Sequence, residues 1–532
     1  MGVNFNPGNE AFAKILKDRY VDKTGLITQF DSTLYGSRSL VLSSRPRRFG
    51  KSYATRAIVA FYSAGCDSRK LFEGLSVSEH DGWDRNLNQL NVVRLDMTAV
   101  MKAAGGARGV EAEATRSLLA EMREDVSLAG ATHAGRGDEL QAAVLDVVRE
   151  TGRQFLFVID EWDAPYRLAA ADVESQDAYA SWLRSLFKNE DFTAQALAGA
   201  YLTGILPIKK YAHQSAVSDF REYTMTRPGV YAPYVGFTSD EVAELCDEYG
   251  LDQAEMRDFY DGYRLRYRRD VFEVYAPYSV IEACDSGEVD SFWTSSEAYE
   301  SLLPYIEADL DGLQEKVLSA VGGMDVPMDP SGFTNDMVTL DSADDALTLL
   351  VHLGYLAWDA ERRVARVPNR EVRAELVRTL KRSRHPKLRQ AMLDSIDLVT
   401  RLLKMDEAAV AAGIAAVHDR ECTPLFYNNE QALRAVVKTA LIASMDDYAR
   451  IEELPGGKGF ADIVYLPGHA SSLPILVVEL KWNRHDDAAI AQIRERRYPD
   501  ALEGLDVPTL LVGITYDART KEHACRIEEW KL

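Results

Sequence analysis

The sequence predicts an α/β fold with a parallel sheet covered on both faces, and three observations carry that expectation. Short apolar, β-rich runs alternate with helical stretches along the first part of the chain. Gly50-Lys51-Ser52 stands where one such run gives way to a helical pattern. A later run, Phe155–Ile159, is wholly apolar and ends in Asp160-Glu161.

Taken in order, Ser39–Ser43 is the first expected strand and Tyr53–Ala64 the helix after it. Asn91–Leu95, ended by Asp96, is the second strand, and Gly109–Leu128 is helical. Gly130–Gly137 reads as a loop, Glu139–Thr151 as a helix, and Phe155–Ile159 as the third strand. Gln195–Ile205 supplies a fourth, with Thr203-Gly204 near its end. Beyond about residue 236 the pattern turns helical: Thr238 or Ser239 caps a helix with Asp240 and Glu241 in its first turn, and Gln253–Tyr260 follows. Asp345–Leu353 is helical, and Tyr355–Trp358 with Arg363–Val367 suits a small strand pair, a winged-helix-like arrangement. Glu371–Leu403 is helical with a break at Pro386. From about Cys422 the order is helix (Asn428–Ser444), strand (Asp462–Leu466), strand (Ile475–Leu480, across Pro467–Pro474), helix (Asp486–Tyr498) and strand (Thr509–Thr515). The expected segments are 1–235, 236–300, 301–390 and 391–532.

Composition bounds the function classes. A chain of 532 residues suggests about three to four domains. With 46% hydrophobic and 27% charged residues, it is not mainly disordered. The longest apolar runs, such as Pro474–Leu480, fall far short of the ~20 residues that span a bilayer and suit buried strands. Met1–Asn6 has no basic stretch before an apolar core, which argues against a secretory signal, and Asn6 stands where myristoylation wants Ser or Thr. Five scattered cysteines without a CxxC pair argue against disulfides and a cysteine zinc site, so a cytoplasmic protein is expected. The net charge of −22 disfavours indiscriminate coating of nucleic acid. One segment runs against it, with eleven Lys and Arg crowded between Arg362 and Arg389. That stripe is either a solvated helix face or a phosphate-tracking surface. The nine histidines show no paired-ligand spacing, and His418 and His485 read as surface or capping residues.

Gly50-Lys51-Ser52 between strand and helix is the end of a phosphate-binding loop. Backbone N–H groups at a helix N-terminus cradle phosphates, Lys51 reaches the terminal phosphates and Ser52 ligates Mg²⁺. The strict pattern wants Gly at position 45, where this chain has Arg45. The strand ending in Asp160-Glu161 supplies the second half of such a site, Asp160 beside the metal and Glu161 facing the attacking water. Thr203, at the end of the next strand, either senses the γ-phosphate or only forms a turn.

These residues resemble a known family. Val21-Asp22-Lys23-Thr24, Arg45-Pro46-Arg47-Arg48-Phe49-Gly50-Lys51-Ser52, Ile159-Asp160-Glu161-Trp162-Asp163-Ala164-Pro165 and Leu202-Thr203-Gly204 are similar to the AAA-ATPase-like proteins that carry a PD-(D/E)XK nuclease-like domain at the C-terminus. The likeness continues through Tyr260-Asp261-Gly262-Tyr263, Ala276-Pro277-Tyr278-Ser279, Gly354-Tyr355-Leu356 and Val367–Val372. It implies a P-loop NTPase of the AAA/ASCE type with a helical lid, a winged-helix-like middle and an αβββαβ restriction-endonuclease-like C-terminal domain. By the same resemblance Arg45 belongs to the family's own loop variant, and Asp22, Lys23, Arg48, Phe49 and Tyr53 join Gly50, Lys51, Ser52, Asp160 and Thr203 around ATP and Mg²⁺. Residues alone would make Asp22, Lys23 and Thr24 a helix cap.

In the last segment Asp462 opens one strand and Glu479-Leu480-Lys481 closes the next. Residues two apart on a strand share a face, so Glu479 and Lys481 project together, and strand pairing brings in Asp462. Two carboxylates hold Mg²⁺ or Mn²⁺, and the lysine positions water for phosphodiester cleavage. Glu430 is a candidate third ligand and Gln492 a candidate polar companion. The plain alternative is a solvated Glu–Lys pair at a strand end. Phe460 stands where the family often has a basic residue. The expected partners are ATP and nucleic acid, DNA ahead of RNA, with a protein partner or self-association open and no membrane. The reading is an ATP-hydrolysing switch controlling a metal-dependent nuclease-like domain; the alternative is a switch or scaffold whose C-terminal domain binds without cleaving.

Overall fold

The computed structural model describes the chain except residues 1, 129–139, 170–171, 208–218, 293–305, 308, 334–339, 383–384, 422–428, 457–458, 469–471, 485–486, 497–506 and 531–532. The loop expected over Gly130–Gly137, with Cys422 and His485, therefore lies outside the described residues. The chain divides into two compact units, Met1–Phe292 with Met328–Arg363, and Trp293–Pro327 with Val364–Leu532. The segment expected as one piece over 301–390 is thus divided between them, as is the basic stretch, with Arg362 and Arg363 in the first unit and Arg366 onward in the second.

The first unit is α/β around five parallel strands: β1 (Leu40–Ser44), β2 (Asn91–Asp96), β3 (Phe155–Asp160), β4 (Leu197–Gly204) and β5 (Arg221–Tyr223), in spatial order β2-β3-β4-β1-β5. Alternate residues of one strand enter opposite cores. Phe155, Phe157 and Ile159 pack on one face, Leu156 and Val158 on the other. Both faces are dry, which is why these strands read as continuous apolar runs. β4 starts at Leu197 rather than Gln195, because Asn189 caps a helix Glu190–Ala196 through a bond to Phe192 N.

Past residue 236 the expected helices form, Ser239–Tyr249 with Thr238 and Glu241 as a capping box, and Gln253–Tyr260. The all-helical expectation fails here, however. β6 (Phe237–Thr238), β7 (Tyr263–Tyr267) and β8 (Asp270–Tyr275) make a small antiparallel sheet in order β6-β8-β7. Tyr263, Leu265 and Tyr267 alternate with Arg264 and Arg266, a period-two signal that a helical reading of the region passes over.

In the second unit, helices Arg370–Arg382 and Pro386–Leu403 part at Pro386, which opens the latter at its first turn. The C-terminal sheet has five strands, β9 (Tyr448–Gly456), β10 (Gly459–Pro467), β11 (Ile475–Trp482), β12 (Thr509–Asp517) and β13 (Glu522–Trp530), in sequential order. Only β11 and β12 run parallel, with helix Ala488–Arg496 between them in sequence. β9 stands ahead of the two strands picked out from residue patterns, and β13 after the last. Helix Glu430–Ala440 packs with the face carrying Ile463, Leu476 and Val478. Helix Ala488–Arg496 packs with the opposite face through Ile490 and Ile493. Gly513 permits that approach, since a Cβ there would lie 2.9 Å from the Ala489 Cβ.

Candidate functional site

β1 leads into the loop Arg45–Gly50, and Gly50 at φ +83° caps helix Lys51–Tyr62. A side chain at that dihedral would be strained, so glycine is required at the turn into the helix. The helix N-terminus leaves its first N–H groups without intrahelical partners, an anion-binding end. Arg45 is fully buried and directs its guanidinium to backbone carbonyls. Its Nη1 donates to Ser44 O (2.8 Å) and Tyr223 O (3.1 Å), and Nη2 to Tyr231 O (3.4 Å). Burial lowers its pKa to about 10, so it stays cationic at neutral pH. Arg45 is a strut beneath the loop, which accounts for a long side chain where the strict pattern wants glycine.

The Lys51 ammonium is buried, donates to Pro46 O (2.9 Å) and lies 3.8 Å from Glu161 Oε1. Burial lowers its pKa, against the charges of Glu161 and Asp160. Burial raises the pKa of Asp160, opposed by a hydrogen bond from Ser52 and by Lys51. Its neighbour Glu161 stands at φ +49°, a strained dihedral for a non-glycine residue. The turn is held by Trp162 N donating to Thr203 O (3.1 Å) and Glu161 N to Asp160 Oδ1 (3.1 Å). Burial also raises the Glu161 pKa, against Lys51 and Arg167. Lys51, Ser52, Asp160 and Glu161 are thus brought together at the ends of β1 and β3. One buried carboxylate beside a hydroxyl suits Mg²⁺, which takes most of its remaining ligands from phosphate and water.

Other expected nucleotide residues are placed differently. The Thr203 hydroxyl donates to Ser43 O (2.9 Å) inside the sheet and is not offered to a phosphate, because that donor is already used by the backbone. Asp22 accepts from Thr24 N (2.8 Å), the Thr24 hydroxyl (2.7 Å) and Ser76 N (2.6 Å), so it organises its own turn. Lys23 donates to Pro233 O (2.8 Å) and to Glu241, at 2.6 Å for Oε1. Both are committed to protein partners, as their expected place around ATP does not require. Arg48 turns away, donating to Phe292 O (2.8 Å) and stacking 4.6 Å from the Tyr278 ring centroid. Phe49 is buried edge-to-face against Tyr263, and Tyr53 is half exposed on the first helical turn. Lys23→Met should therefore lower stability by about 2 kcal/mol, discounted from a fully buried pair because Glu241 is partly solvated. Urea unfolding measures that loss. A fall in ATP affinity at unchanged stability would return Lys23 to the nucleotide.

In the second unit, Leu480 N donates to Asp462 Oδ2 (2.8 Å), joining β10 to β11 beside Glu479. Glu479 is almost fully buried and its Oε1 accepts from Lys481 Nζ (2.9 Å) and from Gln492. Among the described residues its Oε2 is buried with no partner. Burial first, then the charge of Asp462, push its pKa up to about 7, against Lys481. Asp462, Glu479, Lys481 and Gln492 therefore converge. Glu430 does not join them: among the described residues no three His, Cys, Asp or Glu converge as a metal centre. One turn along the same helix, Arg434 reaches Asp462 Oδ1 instead (2.6 Å), so a cation faces the carboxylate that a third ligand was expected to accompany. Two carboxylates with one unpartnered buried oxygen still suit an oxygen-bound divalent ion.

The raised Glu479 pKa has a pH consequence. The folded form holds a proton that the unfolded chain, near the ordinary 4.5, has already released, so stability falls as pH rises from about 4.5 to about 7. Glu479→Gln should flatten that decline, as urea midpoints across the window would record.

A loop leading into a helix N-terminus thus stands beside a strand-end Asp-Glu pair, with β4 inserted between the two strands that carry them. Residues 7–212 match the AAA-ATPase-like family, described as a predicted AAA-ATPase. No curated protein matches the sequence. Solved structures with some likeness include the Aeropyrum pernix ORC2 protein in ADPNP-ADP complexes, at 12% identity and TM-score 0.26. Another is Cdc6p from Pyrobaculum aerophilum, at 12% identity and TM-score 0.24. Each alignment covers 67% of this chain and 93% of the other. At so remote a likeness no ligand or partner transfers. Two further residues join the first site: Asp163, which the sequence reading held only within the family motif, and Arg167, which it did not single out; their i,i+4 spacing beside Glu161 is the legible signal. No helix among the described residues is long and apolar enough to cross a membrane.

Proposed function

We propose that this protein binds and hydrolyses ATP at Lys51, Ser52, Asp160 and Glu161, and that nucleotide state controls a Mg²⁺-dependent nuclease-like domain over about residues 391–532. The observation that carries the ATPase reading is the meeting of Lys51 and Glu161 at 3.8 Å beside the Ser52–Asp160 bond. Lys51 and the helix N-terminus hold the phosphates. Glu161 takes a proton from water as its oxygen attacks the γ-phosphorus, and the bond to ADP breaks with its electron pair leaving on the β-phosphate oxygen. Mg²⁺, when bound, neutralises charge on the phosphate oxygens.

For the second domain, the pairing of a buried, half-satisfied Glu479 with Asp462 and Lys481 supports phosphodiester cleavage, DNA in preference to RNA. Asp462 and Glu479 would hold Mg²⁺ or Mn²⁺, which supplies a Lewis acid, while Lys481 orients the water. The Arg434–Asp462 pair favours the other reading, a domain that binds its partner without cutting. Control by ATP requires that ATP bind one arrangement more tightly than another. A nuclease assay in Mg²⁺ or Mn²⁺, with and without ATP, comparing wild type with Lys481→Ala, separates the readings.

A further inference from the structure

Glu161 is not free at the end of its strand. Its Oε1 faces Lys51 at 3.8 Å, and its Oε2 accepts from Arg167 Nη2 at 2.5 Å. The Arg167 side chain is 9% exposed, and its Nε lies 3.4 Å from Asp163 Oδ2. That oxygen also accepts the backbone N–H groups of Ile205 (3.2 Å) and Leu206 (2.9 Å), just past β4. Asp163 is fully buried, so the anchor has little freedom. The Glu161 carboxylate is therefore gripped on both oxygens by different cations, one from the phosphate loop and one from the helix that follows it, Ala164–Leu168.

We infer that Arg167 is the positioning residue that aims Glu161 at the attacking water, with Asp163 fixing Arg167 to the chain leaving β4. The inference rests on the ATPase reading above. A γ-phosphate draws on the charge of Lys51, which weakens the hold on Oε1, whereas Arg167 is tied to Asp163 and keeps Oε2 in place. A carboxylate with one oxygen fixed and the other released is oriented to accept a proton. Arg167 thereby affects turnover more than affinity, since it acts through Glu161, whereas Lys51 acts on both.

The alternative is that Arg167 only pins its helix to the sheet. Steady-state hydrolysis by the full chain, with ATP affinity measured separately, distinguishes them. Arg167→Ala should lose about 10²-fold in kcat with ATP affinity nearly unchanged. Millimolar guanidinium should restore part of the rate to Arg167→Ala and none to Glu161→Gln, and Arg167→Lys should fall between wild type and Arg167→Ala. Should Arg167→Ala not fold, Arg167→Lys alone decides, a lowered kcat at unchanged affinity supporting the role. An unchanged kcat, or equal losses of kcat and affinity without guanidinium rescue, overturns it. Wild-type protein inert towards ATP removes the ATPase reading itself. Turnover abolished by Glu161→Gln yet intact in the Arg167 variants removes this inference alone.

Discussion

Lys51→Ala should weaken Mg-ATP binding by about 10²-fold or more, because charge-assisted bonds to the terminal phosphates disappear. The loss is compounded by the groups around Lys51. Lys51 is buried against Glu161 and lowers the pKa of Asp160. Without it, two buried carboxylates face incoming phosphates with no compensating charge. Glu161→Gln should behave differently: binding persists, since the amide removes a repulsive charge, while turnover falls by about 10²–10⁴-fold with the loss of the water-activating group. Equilibrium binding of a fluorescent ATP analogue and phosphate-release kinetics measure the two quantities. Unchanged hydrolysis in Glu161→Gln would overturn its assignment as the base.

A comparable loss is expected at the second site. On the proposed nuclease reading, Lys481→Ala should cut metal-dependent cleavage by about 10²–10⁴-fold while sparing metal binding, because the lysine would orient water rather than ligate. Asp462→Ala should abolish both. Its fold should survive, since Arg434 retains Glu453 at 3.2 Å when Asp462 is removed. Calorimetric titration of Mg²⁺ or Mn²⁺ into the full chain, run beside a nuclease assay at fixed salt, separates the two effects. Fixed salt matters because phosphate contacts from basic residues weaken with ionic strength. Metal binding to Asp462→Ala equal to wild type would return the cluster to a structural ion network without a metal. Intact metal binding and nucleic-acid affinity without cleavage in the wild type would support a binding-only domain.

The sequence by itself determined the parallel sheet and the placing of Lys51, Ser52, Asp160 and Glu161 at the ends of its strands. Strands buried on both faces must be apolar throughout, so Phe155–Asp160 announces both its burial and the acidic step where it ends. Gly50-Lys51-Ser52 is equally local, because a strand, a positive-φ glycine and a helix N-terminus follow one another along the chain. At the second site, Glu479 and Lys481 were legible from the two-residue period of a strand. Their link to Asp462 was legible once the two strands paired.

Tertiary structure alone decided how those groups are held. Hydrogen-bond partners come from segments far away in sequence, and composition carries no record of which one arrives. Lys23 meets Glu241, Arg45 meets Tyr231, and Thr203 meets Ser43; none of these pairings has a spacing to read. Glu430 and Arg434 differ by one helical turn, and only the packing of their helix against the sheet selects the cation rather than the carboxylate for Asp462. The grip of Arg167 on Glu161 likewise depends on the left-handed turn at Glu161, a backbone state fixed by the bond from Trp162 N to Thr203 O. Local periodicity places a side chain on a face. What that side chain meets is set by the fold.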